Sequence, residues 1–181
     1  MESYETTEYL NYIDHVDQTD LYNLMTQYGD DVRRYAYTIT RDVQQSEDIA
    51  QEVFIRVYRH IGTFRGESAF RTWLFSITRN LAINELRSSY TKKILLFAKV
   101  RPKHIGESAE DRFLEGHDRR ELRRIILDLP IKYREVLVLY LEHDMTMTEI
   151  ASLLHISEGT IKSRLHRARK LVDKQWKGIG R

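Results

Sequence analysis

Five side chains near the C-terminus, Ser163, His166, Arg167, Lys170 and Lys174, gather on one side of their segment when each residue is turned by about 100°. Ile161, Leu165, Ala168 and Val172 fall on the opposite side. The polar set has the chemistry for reading a nucleic-acid duplex. An arginine fork meets the O6 and N7 of a guanine in bidentate fashion, and serine and lysine reach base edges or phosphates. Lys162 and Arg169 would flank the groove. The plainer alternative is an amphipathic helix that is merely basic. His166 adds little alone, because the seven histidines (His15, His60, His104, His117, His143, His155, His166) show no paired ligand spacing, and no metal site or cofactor is expected.

A basic face reads DNA only if something holds it, and the upstream residues supply the parts. Thr146 and Glu149 have capping-box spacing for a short helix ending at Leu154. His155 and Ile156 make a turn, and Ser157 caps the last helix. Cap, turn, partner helix and basic face together predict a helix-turn-helix, which sets its second helix in the major groove. Before it, Tyr133 to His143 is strongly apolar and expected to be buried, and Pro130 is expected at the first position of that helix, after another ending by Leu129.

The rest of the chain repeats apolar residues at three- and four-residue steps, with two prolines and eight glycines and no sustained alternation, so an all-α fold is expected. A helical hairpin is predicted from Asp20 to Thr40 and from Asp42 to Ile61. Asp42 and Gln45 would form a capping box, Ile49, Val53, Val57 and Ile61 a stripe, and Gly62 the stop. Ser68 reads as the next N-cap, with Phe70, Leu74, Ile77 and Leu81 as the buried face of a helix reaching about Arg87, and Trp73 beside them in the core. The expected organisation is an acidic arm at 1–19, a small helical domain at 20–88, a flexible basic linker at 89–111 and the helix-turn-helix domain at 112–181.

The net charge of +2 conceals segregation: residues 1–32 hold eight acids and no Lys or Arg, whereas residues 159–181 hold eight bases against Asp173 alone. Separate basic stripes track phosphates while the whole chain stays near neutral. The absence of cysteine excludes a disulfide scaffold, thiolate metal sites and cysteine nucleophiles. The N-terminus lacks the features of a signal peptide, and apolar runs such as Ile94 to Ala98 are too short to span a bilayer, so a cytoplasmic protein without direct membrane insertion is expected. No phosphate-binding glycine loop, nucleophile elbow or zinc motif is present, which argues against an enzyme.

Three segments, SEDIAQEVFIRVYRHI at 46–61, FRGESAFRTWLFSITRNLAINELR at 64–87 and LPIKYREVLVLYLEHDMTMTEIASLLHISEGTIKSRLHRARKLV at 129–172, occur in an order and spacing that resemble the extracytoplasmic function sigma factors of bacterial RNA polymerase. The resemblance covers about Asp20 to Trp176 and implies promoter-specific initiation. It implies that the helix face of Asp48, Gln51 and Glu52 docks on the coiled coil of the polymerase's largest subunit. Without it, Asp48 and Glu52 would be helix-surface charge, with Glu52 paired to Arg56. It also implies that the loop Phe64, Arg65, Glu67, Ser68, Ala69 and the surface of Asn80, Asn84 and Arg87 capture an unpaired minus-ten base. The i, i+4, i+7 spacing of the last three puts them on one face, and base capture needs amide partners with cations nearby. Lys162, Ser163, His166, Arg167 and Lys170 would read the minus-thirty-five duplex. The implied partners are core RNA polymerase, promoter DNA and an anti-sigma factor, which would also be what holds the protein at a membrane. A stand-alone DNA-binding regulator, using only the helix-turn-helix, is the rival expectation.

Overall fold

The computed structural model describes residues 18–95 and 117–179 of the chain, and every regular element among them is a helix. The elements are α1 (Gln18–Thr40), α2 (Val43–His60), a 3-10 turn (Ile61–Thr63), α3 (Phe70–Leu95), α4 (His117–Asp128), α5 (Ile131–Leu141), α6 (Met147–Leu154) and α7 (Glu158–Ile179). Their contacts divide them into two units, with α1 to α3 in one and α4 to α7 in the other. The acidic arm up to residue 17 and the basic stretch from 96 to 116 lie outside the described residues. The helix expected to stop near Arg87 continues through Leu95, into the stretch read as linker.

In the first unit α1 packs along α3. Aromatic rings fill the seam. Tyr35 stacks on Phe75 at 5.0 Å, and Phe70 meets Tyr28 at 5.7 Å, Phe64 at 5.6 Å and Trp73 at 5.6 Å. Asp31 of α1 binds Arg71 of α3 at 2.8 Å and its own helix's Arg34 at 2.7 Å. Burial pushes the Tyr28 phenol above the usual tyrosine range, against the Arg71 charge and helped by that of Asp31. On α2, Ile49, Val53, Val57 and, at the start of the 3-10 turn, Ile61 are buried as the stripe predicts, with Phe54 added.

Three local expectations are corrected here. Helix α2 is not closed by Gly62, which sits inside the 3-10 turn; the turn itself closes the chain, with the Phe64 N–H donating to the Ile61 carbonyl at 2.8 Å. Ser68 is not the cap of α3. The first helical bond runs from the Trp73 N–H to the Ala69 carbonyl at 3.2 Å, and the Ser68 hydroxyl donates to that same carbonyl at 3.4 Å. Phe70 and Leu74 are buried, but Ile77 and Leu81 are only half-buried, and Phe75, Thr78 and Ala82 lie deeper. The buried face is therefore rotated by roughly 60°, counting about 100° per residue. Thr78 tolerates the core because its hydroxyl donates to the Leu74 carbonyl at 2.9 Å.

In the second unit α4, α5 and α6 all pack against α7. Ile125, Leu127, Leu139, Ile150, Leu153, Ile161, Leu165 and Ala168 form its core. Helix α5 is buried from Arg134 to Leu139, Arg134 and Glu135 included, and the Arg134 guanidinium donates to the Leu127 carbonyl. Its ends are less enclosed than expected: Tyr133 and Tyr140 are half-buried and Leu141 is exposed. Pro130 stands one position earlier than expected, at the N-cap, where its ψ of 137° is not yet helical.

The capping box on α6 is complete. The Thr146 side chain accepts from the Glu149 N–H at 3.2 Å, and the Glu149 carboxylate accepts from the Thr146 N–H at 2.8 Å. Thr146→Ala is expected to lower the stability of this unit by about 1 kcal/mol, since half of the reciprocal pair is lost. Urea unfolding followed through Trp176 fluorescence, in a Trp73→Phe background, measures it; an unchanged midpoint contradicts the cap's contribution.

Candidate nucleic-acid interface

The turn between α6 and α7 is built without glycine. His155 takes the left-handed conformation (φ 53°, ψ 46°), and its N–H reaches back to the Ala151 and Ser152 carbonyls. Histidine in this region is strained relative to glycine. Local bonds hold it: the Ile156 N–H donates to the Ala151 carbonyl at 3.1 Å, and the Ser157 hydroxyl accepts from the Thr160 N–H at 3.2 Å, as the predicted cap requires. Thr148 of α6 donates to the Glu158 carboxylate of α7 at 2.7 Å, a side-chain tie between the two helices of the motif.

With Ile161, Leu165 and Ala168 buried, Lys162, Ser163, His166, Arg167, Lys170 and Lys174 are all exposed. Val172 is half-buried, at the edge of the core. The Ser163 hydroxyl donates to the Thr160 carbonyl at 2.9 Å, which leaves its oxygen lone pairs outward. Arg169 stands over the Tyr140 ring at 5.6 Å, so the helix's basic side is partly borne by α5.

The second cluster belongs to the other unit. Asn80, Asn84 and Arg87 are all exposed on α3, on the side turned away from Phe75 and Ala82. In the preceding loop Arg65, Glu67 and Ala69 are exposed and Ser68 half-exposed, while Gly66 takes φ 67°, a bend that glycine alone adopts freely. Phe64 behaves differently from its neighbours. Its ring is buried against Phe70 and Trp73, so it anchors the loop from beneath rather than presenting a surface. Trp73, placed in the core by sequence, is half-buried at the edge of this cluster, 5.3 Å from Phe64.

On α2, Asp48 and Gln51 are exposed and Glu52 half-exposed, opposite the apolar stripe. Glu52 accepts from Arg56 at 2.8 Å, as the plainer reading expects, and Asp48 accepts from Gln44 at 3.1 Å. Two residues the sequence reading passed over share this face: Ile55 and Tyr58, 44% and 50% exposed. Their signal was present in the pattern, because both lie off the stripe that fills the core. A charged rim around exposed apolar side chains is the make-up of a protein-docking surface.

Comparison with known proteins matches two family models to the chain, Sigma-70 region 2 over residues 24–91 and Sigma-70 region 4 over residues 119–172. The ECF RNA polymerase sigma factor SigW of Bacillus subtilis is 31% identical over 174 residues, covering 90% of this chain and 92% of its own length. The ECF RNA polymerase sigma factor SigM of the same organism is 31% identical, covering 79% of this chain and 86% of the relative. Among solved structures, the sigma factor RpoE of Bartonella quintana, determined in complex with the anti-sigma factor NepR, is similar in fold. Its TM-score is 0.74 at 20% identity, covering 90% of this chain and 99% of that one.

Proposed function

The chain belongs to the extracytoplasmic function sigma factor family, the promoter-recognition factors of bacterial RNA polymerase, and from that premise we propose a division of labour among its surfaces. The face of Asp48, Gln51 and Glu52, with Ile55 and Tyr58, docks on core polymerase. The loop 65–69, with Asn80, Asn84 and Arg87, takes the unpaired minus-ten strand. Lys162, Ser163, His166, Arg167 and Lys170 read the minus-thirty-five duplex. The observation that carries this reading is the exposure of both polar clusters on helices whose opposite faces are buried. The protein acts by binding, without a reaction of its own, in the cytoplasm, and an anti-sigma factor restrains it by covering one of these surfaces. No helix among the described residues is long and apolar enough to cross a membrane, so membrane recruitment would run through that partner.

The division of labour is tested by reconstitution. Purified chain with core polymerase is expected to give discrete promoter-specific transcripts on genomic template, and no specific start on any template overturns the function. Asn80→Ala is expected to leave duplex binding by the holoenzyme intact while slowing open-complex formation by about tenfold, the loss of roughly one hydrogen-bonding partner to an extruded base. Permanganate footprinting of the melted strand reads it. Equal loss of duplex binding and melting contradicts the assignment of α3.

A further inference from the structure

Gly159 stands in the first turn of α7, directly after Glu158. Glycine weakens a helix relative to alanine, because it gives up more backbone freedom on folding. The fold does not call for glycine here. A Cβ at this position would meet the Ser157 Oγ at 3.9 Å, an ordinary contact, and among the described glycines the positive φ belongs to Gly66. What distinguishes Gly159 is its place on the polar face. Ser163, His166 and Lys170 follow it at four, seven and eleven residues, within roughly 40° of it around the axis, and all four are exposed. Side chains lengthen along this stripe. There is none at 159 and a short hydroxymethyl at 163, its hydroxyl turned back to the Thr160 carbonyl at 2.9 Å, and then come the longer imidazole and ammonium groups. The acid of the first turn is kept off the stripe: Glu158 lies about 100° round the helix and accepts from Thr148 of α6 at 2.7 Å.

We infer that Gly159 is a specificity-determining position for promoter reading: its bare backbone is where α7 comes closest to the floor of the major groove, with base edges against the Cα in the space a Cβ would take. This rests on the assignment of α7 as the helix that reads the upstream duplex. A helix with its side chains is about 10–12 Å across, and the major groove is about 12 Å wide and 8.5 Å deep. In so close a fit, the depth of entry is set by the length of the side chains that face the floor. With none at 159 and a short one at 163, the first turns enter deepest, and His166 and Lys170 span the wider gap as the helix leaves the groove. Helix-turn-helix domains dock in this sense, with the N-terminal residues of the second helix on base edges. The same helix supplies its own control. A Cβ at Gly178 would meet nothing within 4 Å either, but Gly178 lies about 28 Å further along the axis and about 100° round from Gly159.

The test uses the full chain bound to core polymerase and a duplex promoter library randomised across the upstream element, with base preference at each position read by sequencing the bound fraction. The unaltered chain, Gly159→Ala, Gly178→Ala and Arg167→Ala are compared, and the melting temperature of each free chain is recorded. Both glycine variants are expected to melt no lower than the unaltered chain, since alanine favours the helix and fits the space at each position. Gly159→Ala is nonetheless expected to bind the preferred element roughly tenfold more weakly, the scale on which one added methyl overpacks a close fit, and to lose preference at neighbouring base pairs. Gly178→Ala is expected to keep both. A Gly159→Ala chain that binds and discriminates as the unaltered one does overturns the inference, as does an equal loss in Gly178→Ala. A lowered melting temperature in Gly159→Ala also overturns it, because the glycine is then needed by the fold. An Arg167→Ala chain that keeps its full preference overturns the reading beneath it, and the inference with it.

Discussion

Phe70→Ala is expected to destabilise the unit of α1 to α3 by about 3–5 kcal/mol and to abolish promoter melting. Phe70 is 1% exposed, and its ring meets Tyr28, Phe64 and Trp73 at once. Those three come from α1, from the loop and from α3 itself. Truncation to alanine leaves a void that none of them can fill without moving, and Phe64 is the ring on which the loop 65–69 rests. The loss would be a large share of the 5–15 kcal/mol that typical domains possess. Urea unfolding followed by Trp73 fluorescence in a Trp176→Phe background reads the stability. Phe70→Leu separates volume from ring contact and is expected to retain more than half of it. A loss below about 1 kcal/mol for alanine means the cluster is not what supports the loop.

Much of this architecture was legible in the residues because its determinants are local. The Thr146–Glu149 box, the Ser157 cap and the alternation of Ile161, Leu165 and Ala168 with Ser163, Arg167 and Lys170 each rest on spacing within one or two turns, and spacing is what a sequence displays. Misplaced features depend on partners far along the chain. The buried face of α3 follows Phe75 because Tyr35, forty residues earlier, stacks on it. Thr78 reads as polar until its bond to its own helix is known. Ser68 looked like the cap of α3 by composition, yet Ala69 takes the position, because Phe64 and Phe70 set where the helix begins by packing on each other at 5.6 Å.

The same division holds for the functional surfaces. Exposed polar residues on one helix, such as Asn80, Asn84 and Arg87, follow from the helical repeat alone. What joins two helices does not. Tyr133 and Tyr140 read as part of an apolar run, and only the packing of α5 on α7 sets the Tyr140 ring under Arg169. Phe64 erred in the opposite direction: it stands inside a segment otherwise exposed, and its burial emerges only with the aromatic cluster around it.

Reversing two charges on α2, Asp48→Lys with Glu52→Lys, is expected to weaken association with core polymerase by on the order of a hundredfold while leaving the fold intact. Among the described residues these carboxylates bond within their own helix, Asp48 through Gln44 and Glu52 through Arg56. Exposed pairs of that kind contribute a few tenths of a kcal/mol, and a lysine at 52 beside Arg56 costs about as much again. The melting temperature of the free chain is therefore expected to change little. At a docking surface the balance differs, because a reversed charge meets the partner's complementary charge with water excluded, and like-charge juxtaposition there costs several kcal/mol. Ile55 and Tyr58 supply the apolar centre that does the excluding, so Ile55→Ala alone should weaken binding with no change in its dependence on salt, whereas the charge reversal should change both. Titration of labelled chain against core polymerase at two ionic strengths distinguishes them. If both carboxylates can be reversed with affinity unaltered, α2 binds polymerase through another face or not at all.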